Sequence, residues 1–227
     1  MSVWFLVALG SVTGVLAGII VAFVSMKLPE HLQHQWRIDA FEYLELPYTP
    51  ATQVVTVRKG VFSKGWRFLI IGTVCVLAGG FLFGYLDNII ESVVFAILFW
   101  ALITVAVIDF ETLYIPDMIV MPLLWTGLLF YALTGPDQLQ WHVIGAAAGY
   151  ASLRWLPVGQ GDAKLCAVAG AWLGIDALLT FFMIGAPLGV IVGFIYYFRR
   201  GKSEPCPYGP SLVAALIATV IIELIKR

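Results

Sequence analysis

Long runs of apolar residues separated by short polar breaks dominate the chain. A bilayer crossing needs about 20 such residues. Eight runs are candidate spans: about 3–26, 67–86, 89–108, 117–134, 141–157, 163–174, 176–198 and 209–225. The sixth is short by itself, but together with the seventh it is about twice one crossing. Only Gly174-Ile175-Asp176 divides the sixth run from the seventh. The pattern predicts an all-α, polytopic membrane helix bundle of about eight transmembrane helices, with one small cytoplasmic loop or subdomain.

Composition supports this reading. Apolar residues make up 61% of the chain and charged residues 12%, whereas soluble domains carry about 25% charged residues. The chain is too apolar for a water-facing surface, so the lipid bilayer is an expected partner and no nucleic acid is. The cysteines (Cys75, Cys166 and Cys206) are scattered and favour neither a disulfide framework nor a zinc site. His31 and His34 are more typical of a solvated loop than of a metal site, so no metal is predicted.

The distribution of basic residues predicts the orientation. No Lys or Arg precedes the first run, which indicates a retained helix rather than a cleaved signal peptide. If the N-terminus lies outside and eight runs alternate, only Lys226 and Arg227 fall outside. The remaining bases fall on the cytoplasmic side, as the positive-inside rule expects: Lys27, Arg37, Arg58, Lys59, Lys64, Arg67, Arg154, Lys164, Arg199, Arg200 and Lys202.

The main segment outside the apolar runs is about 27–66. It mixes charges, contains three prolines (Pro29, Pro47 and Pro50), and includes the alternating stretch "TQVVTVRKGVF". That stretch predicts a short hairpin or a surface strand. Alternatively, residues 28–46 form an amphipathic helix that lies on the membrane. The predicted domains are 1–66, the first span with this loop, and 67–227, the remaining membrane helices.

Two acidic clusters lie at the ends of apolar runs. In "VIDFETLYIPD", Asp109 ends an apolar stretch that starts at Val93, and Glu111 and Asp117 follow. In "GQGDAKL", Asp162 follows two glycines at the mouth of the sixth run. The predicted topology places Asp109 and Asp162 at the same face of the membrane. Carboxylates at membrane depth are costly and point to function.

Two readings of these carboxylates remain open. Asp162 and Asp117 could simply cap the helices that follow them. Alternatively, Asp109 and Asp162 form a pair that shares a proton, since two close carboxylates do not ionise together easily. One would then activate water as a general base while the other polarises a carbonyl. This is the chemistry of an aspartic protease.

The two clusters resemble the signature blocks of bacterial type IV prepilin peptidases, polytopic GxGD aspartic proteases of the inner membrane. Further matches follow in order: "MPLLWTGLL" after the first block, and "EPCPYGPSLVAALI", which is similar to a late F-G-P-F-L-type block with Tyr208 in place of Phe. The resemblance covers most of residues 93–222.

The resemblance implies that Asp109 and Asp162 are the catalytic residues. Gly159 and Gly161 would shape the turn before Asp162, and Lys164, Asp117 and Glu111 would support the site. The family removes the basic leader from type IV prepilins and type II secretion pseudopilins at the cytoplasmic face, with no cofactor for proteolysis. The substrate's hydrophobic helix would dock among the spans, with its leader near the acidic loop residues Glu30, Asp39, Glu42 and Glu45.

The N-terminal region departs from the family. Many members also N-methylate the trimmed pilin with S-adenosylmethionine, and many carry two zinc-binding CxxC pairs in the cytoplasmic loop. This chain has "GIIVAFVSMKLP", with Lys27 for the family's arginine and Ala22 for its asparagine, and no CxxC pair. Structural zinc is not expected. Methylation, with S-adenosylmethionine as cofactor, stays open.

Rival interpretations differ in where they place the acids. A presenilin-like protease carries a P-A-L block after its second aspartate, and this chain has none. A proton-coupled transporter would hold its acids near the midplane in broken helices or a repeat. A non-catalytic component of a pilus or secretion assembly would need neither aspartate. The sequence does not distinguish pilin, pseudopilin and competence-pilin substrates, nor does it give the oligomeric state.

Overall fold

The computed structural model describes residues 2–44, 64–156, 159–200 and 206–226. Every regular element within these ranges is helical. They form two compact units, Met1–Thr112 and Leu113–Arg227. The functional boundary predicted at residues 66 and 67 stays a prediction.

The first unit consists of three helices that all contact one another: α1 (Val3–Tyr43), α2 (Lys64–Tyr85) and α3 (Ile89–Thr112). Helix α1 has 41 residues and a length of about 60 Å at 1.5 Å per residue, about twice the hydrocarbon thickness of a bilayer. The helix therefore extends beyond the predicted span of about 3–26, through Pro29 to Tyr43. This confirms the helical alternative for residues 28–46 as far as Tyr43, and its placement on the membrane stays a prediction. The stretch predicted as a hairpin lies outside the described residues.

Backbone contact between glycines holds α1 against α2. A Cβ atom on Gly14 would lie 2.6 Å from the carbonyl oxygen of Cys75, and one on Gly18 would lie 2.7 Å from the Cα of Gly72. In lipid the acyl chains are as apolar as the helix side chains, so the hydrophobic effect does not drive helices together. Close packing of this kind drives their association instead. At the start of α3, the Asn88 side chain caps the helix by accepting a hydrogen bond from Ile90 N–H at 2.9 Å.

The second unit consists of α4 (Asp117–Thr134), a 3₁₀ turn (Pro136–Gln138), α5 (Leu139–Arg154), α6 (Gln160–Arg200) and α7 (Gly209–Lys226). Helix α6 packs against α4, α5 and α7 and supplies much of the core. Helices α5 and α6 meet at their backbones: a Cβ atom on Gly149 would collide with the carbonyl of Cys166, and one on Gly170 with the carbonyl of Gly145.

Helix α6 is broken at Gly174, whose φ of 72° and ψ of 178° are not helical. A glycine is needed there because L-residues with side chains rarely adopt positive φ. Residues 160–173 and 175–200 are therefore two helical segments that meet at a kink. The sequence predicted this division from Gly174-Ile175-Asp176.

Six helices among the described residues are long and apolar enough to cross a membrane: Val3–Tyr43, Gly65–Tyr85, Ile89–Thr112, Asp117–Thr134, Gln160–Phe198 and Gly209–Lys226. The all-helical membrane fold is confirmed. The predicted count of about eight spans is not, because α5 has only 16 residues and the two segments of α6 form one continuous stretch by this criterion.

We expect Gly170→Ala to destabilise the protein by about 1–3 kcal/mol, the usual cost of overpacking, because the new methyl group would overlap the Gly145 carbonyl. Gly135→Ala is the control, since a Cβ atom there meets nothing within 4 Å. Thermal unfolding in detergent, followed by circular dichroism, measures both. Equal melting temperatures for the two variants would contradict the close contact.

Candidate active site

Asp162 is the third residue of α6 and is presented by a glycine turn. The carbonyl of Gly159 accepts hydrogen bonds from Asp162 N–H at 3.1 Å and Ala163 N–H at 3.4 Å, so Gly159 occupies the N-cap position. Oδ2 of Asp162 lies beside this glycine, since a Cβ atom on Gly159 would be 3.1 Å from it. The expectation that Asp162 itself is the N-cap was wrong.

The Asp162 carboxylate is sequestered but not fully satisfied. The residue is 8% exposed, and Oδ1 has no hydrogen-bond partner among the described residues. A buried acceptor without a donor costs about 1–3 kcal/mol, so such atoms are few in native proteins. Oδ1 is therefore a buried acceptor that the described residues leave unsatisfied.

Gly161 allows the loop before α4 to approach this turn. A Cβ atom on Gly161 would lie 2.7 Å from the Cβ of Ile115, and Ile115 is 7% exposed. Pro116 follows and occupies the N-cap position of α4 without a side-chain cap. Asp117 is therefore the first residue of α4 rather than its N-cap, which corrects the capping interpretation for this residue as well.

Asp117 pairs with Lys164 across α4 and α6. The ammonium group of Lys164 donates to both carboxylate oxygens of Asp117, at 2.7 and 2.6 Å. The side chains are 24% and 52% exposed, so solvent screens the pair and its net contribution to stability is small. Its geometric effect is larger, because it links the start of α4 to the first turn of α6, two residues after Asp162.

Asp109 and Glu111 lie in the last turn of α3, in the first unit. Asp109 is 5% exposed and Glu111 is 6% exposed. Glu111 forms an ion pair with Arg67, near the start of α2, and both side chains are almost fully buried. The α-helix positions of Asp109 and Glu111 are 200° apart, so α2 holds Glu111 on a face of α3 different from that of Asp109.

The site residues predicted from sequence divide between the two units. Asp109 and Glu111 belong to the first unit, and five others gather at the start of α6 and α4 in the second: Gly159, Gly161, Asp162, Lys164 and Asp117. Sequence reasoning missed Arg67 as a partner of Glu111, because it counted this arginine only among the bases on the cytoplasmic side. The signal was its place at the start of a long apolar run.

No metal site is evident in the described ranges, which contain no group of three or more His, Cys, Asp or Glu side chains able to hold an ion. A cavity of about 320 Å³ lies between α1 and α2 and is almost wholly apolar. Its one hydroxyl, on Thr73, already donates to the Leu69 carbonyl at 2.8 Å. S-adenosylmethionine carries a carboxylate and two cationic centres, so this cavity does not fit it.

The fold is that of a polytopic membrane protein with buried carboxylates at the end of α3 and at the start of α6. Residues 96–194 match the model of the type IV leader peptidase family. This part of the chain includes both signature blocks.

Relatives of the chain share a name. It is 29% identical over an alignment of 256 positions to the prepilin leader peptidase/N-methyltransferase of Neisseria gonorrhoeae, covering 93% of this chain and 88% of the relative. It is 39% identical over 145 positions to the protein of that name from Aeromonas salmonicida (strain A449), covering 58% of this chain and 50% of the relative. The protein of that name from Xanthomonas campestris pv. campestris is 29% identical, and the alignment covers 89% of this chain and 86% of the relative. No solved structure matches the chain significantly.

We expect Arg67→Met to destabilise the protein by about 3–5 kcal/mol, because it leaves the Glu111 carboxylate buried without a counter-charge. Lys226→Met is the matched control. It breaks a pair with Glu223 whose side chains are 60% and 36% exposed, and exposed pairs are worth about 0–1 kcal/mol. Equilibrium unfolding in mixed detergent and SDS micelles measures both.

A second variant separates the ion pair from general packing damage. Arg67→Met combined with Glu111→Met should recover most of the loss, since apolar replacements of a buried pair are often neutral. The buried-pair interpretation fails if Lys226→Met costs as much as Arg67→Met, or if the double variant stays as unstable as the single one.

Proposed function

We propose that this protein is an aspartic endopeptidase that removes the basic leader from type IV prepilins or pseudopilins at the cytoplasmic face of the inner membrane. Asp109 and Asp162 are the proposed catalytic residues. The observation that carries the proposal is the buried Asp162 carboxylate, presented by Gly159 and Gly161 with one oxygen unpartnered among the described residues. It lies within the region that matches the model of the type IV leader peptidase family. The relatives' shared name supports the substrate class.

The mechanism follows from two carboxyl groups with one proton between them. The ionised carboxylate removes a proton from water, whose oxygen attacks the scissile carbonyl carbon. The protonated carboxyl group gives its proton to the carbonyl oxygen, which produces a neutral tetrahedral diol. The diol then collapses: the C–N bond breaks and the leaving nitrogen receives a proton. The two ionisations belong to the pair rather than to either residue alone.

The remaining residues of the site orient these groups. Gly159 caps α6 through its carbonyl and lies beside Oδ2 of the Asp162 carboxylate. Gly161 admits Ile115, and the Lys164–Asp117 pair sets the start of α4 against the first turn of α6. The Arg67–Glu111 pair fixes the end of α3 that carries Asp109. These are supporting roles, since none of these side chains needs to touch the reacting atoms.

The proposed topology has eight crossings, with the N-terminus outside and the active site facing the cytoplasm. The kink at Gly174 supports separate crossings for the two segments of α6, and α5 would cross between α4 and α6. A 16-residue α5 is short for a standard bilayer but within reach of a locally thinned one. Eleven of the 13 basic residues then lie on the cytoplasmic side.

N-methylation of the trimmed product is a separate part of the proposal. The relatives are named N-methyltransferases as well as peptidases, which supports S-adenosylmethionine as a second substrate. The altered end of the first span, with Ala22 and Lys27, argues against full retention. Neither a proton-coupled transporter nor a non-catalytic assembly component is favoured by the comparisons.

We expect Asp109→Asn and Asp162→Asn each to lower kcat for leader removal by about 10³-fold or more, because neither amide can exchange the shared proton. The assay is cleavage of a purified prepilin in detergent with S-adenosylmethionine present, followed by mass spectrometry. Asp137→Asn is the control, since Asp137 is exposed in the 3₁₀ turn. A product heavier by CH2, the net gain when a methyl group replaces a hydrogen, would establish methylation, and its absence would assign peptidase activity alone. Wild-type rates in either active-site variant would refute the two-aspartate mechanism.

The basic leader would contact the acids that continue along α1 beyond the first span. Glu30, Asp39 and Glu42 are exposed on this helix, Glu30 pairs with Lys27 at 3.3 Å, and Glu45 lies outside the described residues. Asp39→Lys combined with Glu42→Lys should raise KM about five- to tenfold at low salt and leave kcat unchanged. Exposed charges act mainly on the rate at which enzyme and substrate associate. Asp137→Lys is the control. An unchanged KM would remove these acids from substrate recognition.

A further inference from the structure

His142 is a buried side chain outside the predicted site. It lies in the first turn of α5 and is 6% exposed. Its surroundings come from three parts of the second unit: Tyr131 near the end of α4, Ala171 in the first segment of α6, and the kink at Gly174. Burial of a polar ring among these helices costs free energy unless its nitrogen atoms form hydrogen bonds.

The ring makes a defined hydrogen bond to α6. Its Nδ1 lies 3.1 Å from the carbonyl oxygen of Ala171. A carbonyl oxygen only accepts, so Nδ1 is the protonated nitrogen and donates. Ala171 lies in the last turn before the break at Gly174. Carbonyls in the last turn of a helix lose their intrahelical amide donors, and His142 supplies a donor to one of them.

The position of the ring is fixed on both faces. Tyr131 stacks on it with ring centroids 3.4 Å apart and planes 17° from parallel. On the α6 side, a Cβ atom added to Gly174 would lie 3.5 Å from Cε1 of His142, an ordinary contact distance. Gly174 is therefore required for its positive φ rather than for space, and the imidazole fills the niche beside the kink.

The segment held in this way is the one that begins with the Asp162 turn. From Asp162 to Gly174 the helix rises about 18 Å at 1.5 Å per residue. Lys164 ties its start to α4, and the indole N–H of Trp172 donates to the Leu123 carbonyl of α4 at 2.9 Å. His142 ties its end to α5. Loss of that tie would let the end of the segment unwind at the kink and shift the whole segment along its axis.

We propose that His142 is a positioning residue for the peptidase reaction: its Nδ1–H···O bond to Ala171 closes the end of the 160–173 segment and thereby sets the placement of Asp162. The inference rests on the proposed function. A change in placement of Asp162 alters the chemical step and leaves substrate binding unaffected, so its effect is on kcat and not on KM.

Replacement of His142 by Asn or Gln separates the effect of the hydrogen-bond donor from that of the aromatic ring. The side-chain nitrogen of Asn reaches about the place of Nδ1, whereas that of Gln reaches about the place of Nε2. We expect His142→Asn to keep kcat within about threefold of the wild type. His142→Gln and His142→Phe should each lower kcat about tenfold, the size of one net hydrogen bond, with KM unchanged. His31→Asn and His31→Gln, on the exposed part of α1, are the matched controls.

Hydrogen–deuterium exchange separates this inference from the proposed function. Amides around Ala171 to Asp176 should exchange faster in His142→Gln and His142→Phe than in His142→Asn, whether or not the protein cleaves prepilin. If the wild type cleaves and all three variants share one kcat, or if His142→Phe retains the wild-type kcat, the positioning role is refuted. If the exchange pattern appears but the wild type does not cleave prepilin, the proposed function fails and the tie remains.

Tyr131 provides a second route if the His142 variants do not fold. Tyr131→Phe keeps an aromatic ring on the imidazole and should preserve kcat, whereas Tyr131→Leu removes the stack and should lower kcat with KM unchanged. Equal kcat values for the two Tyr131 variants would overturn the proposal.

Discussion

The close backbone contact of α5 with the first segment of α6 is the constraint on which the second unit depends. Gly145, Gly149 and Gly170 allow this approach, and side chains at these positions would separate the helices. Because the backbones meet, the His142 ring can reach the carbonyl of Ala171 on the neighbouring helix. A wider spacing would leave the imidazole, and the carbonyls before Gly174, without these partners in a medium that offers no water.

The 160–173 segment is thus tied to its neighbours at both ends by different kinds of interaction. At its start the tie is electrostatic and partly exposed, through Lys164 and Asp117. Towards its end the ties are buried hydrogen bonds from Trp172 and to Ala171. The exposed Lys164–Asp117 pair adds little to the free energy of folding but sets the start of α6 against the start of α4. The buried hydrogen bonds are shielded from water and are therefore stronger. A carboxylate at the start of such a segment keeps one orientation with respect to its own unit.

Sequence reasoning succeeded where a local pattern determines the structure. The bounds of α4 agree with the predicted run 117–134, and the break near Gly174 was visible because glycine and aspartate interrupt an apolar stretch. It failed where the outcome depends on partners distant in sequence. Arg67 pairs with Glu111, 44 residues away, and His142 bonds Ala171, 29 residues away. For the segment after the first span, the sequence left both a loop and a helix open, because Pro29 and the charges after it are compatible with either.

The glycines of the GxGD block explain how an aspartate can begin a helix and still remain available. An aspartate at the N-cap would use its carboxylate to satisfy the first amides of the helix. Gly159 takes that position instead, at a cost of only a few tenths of a kcal/mol relative to a good capping residue. Asp162 then stands at the third helical position, where Oδ2 lies beside Gly159 and Oδ1 has no hydrogen-bond partner among the described residues. In the proposed mechanism, Oδ1 is the acceptor that the local structure leaves for water or for the shared proton.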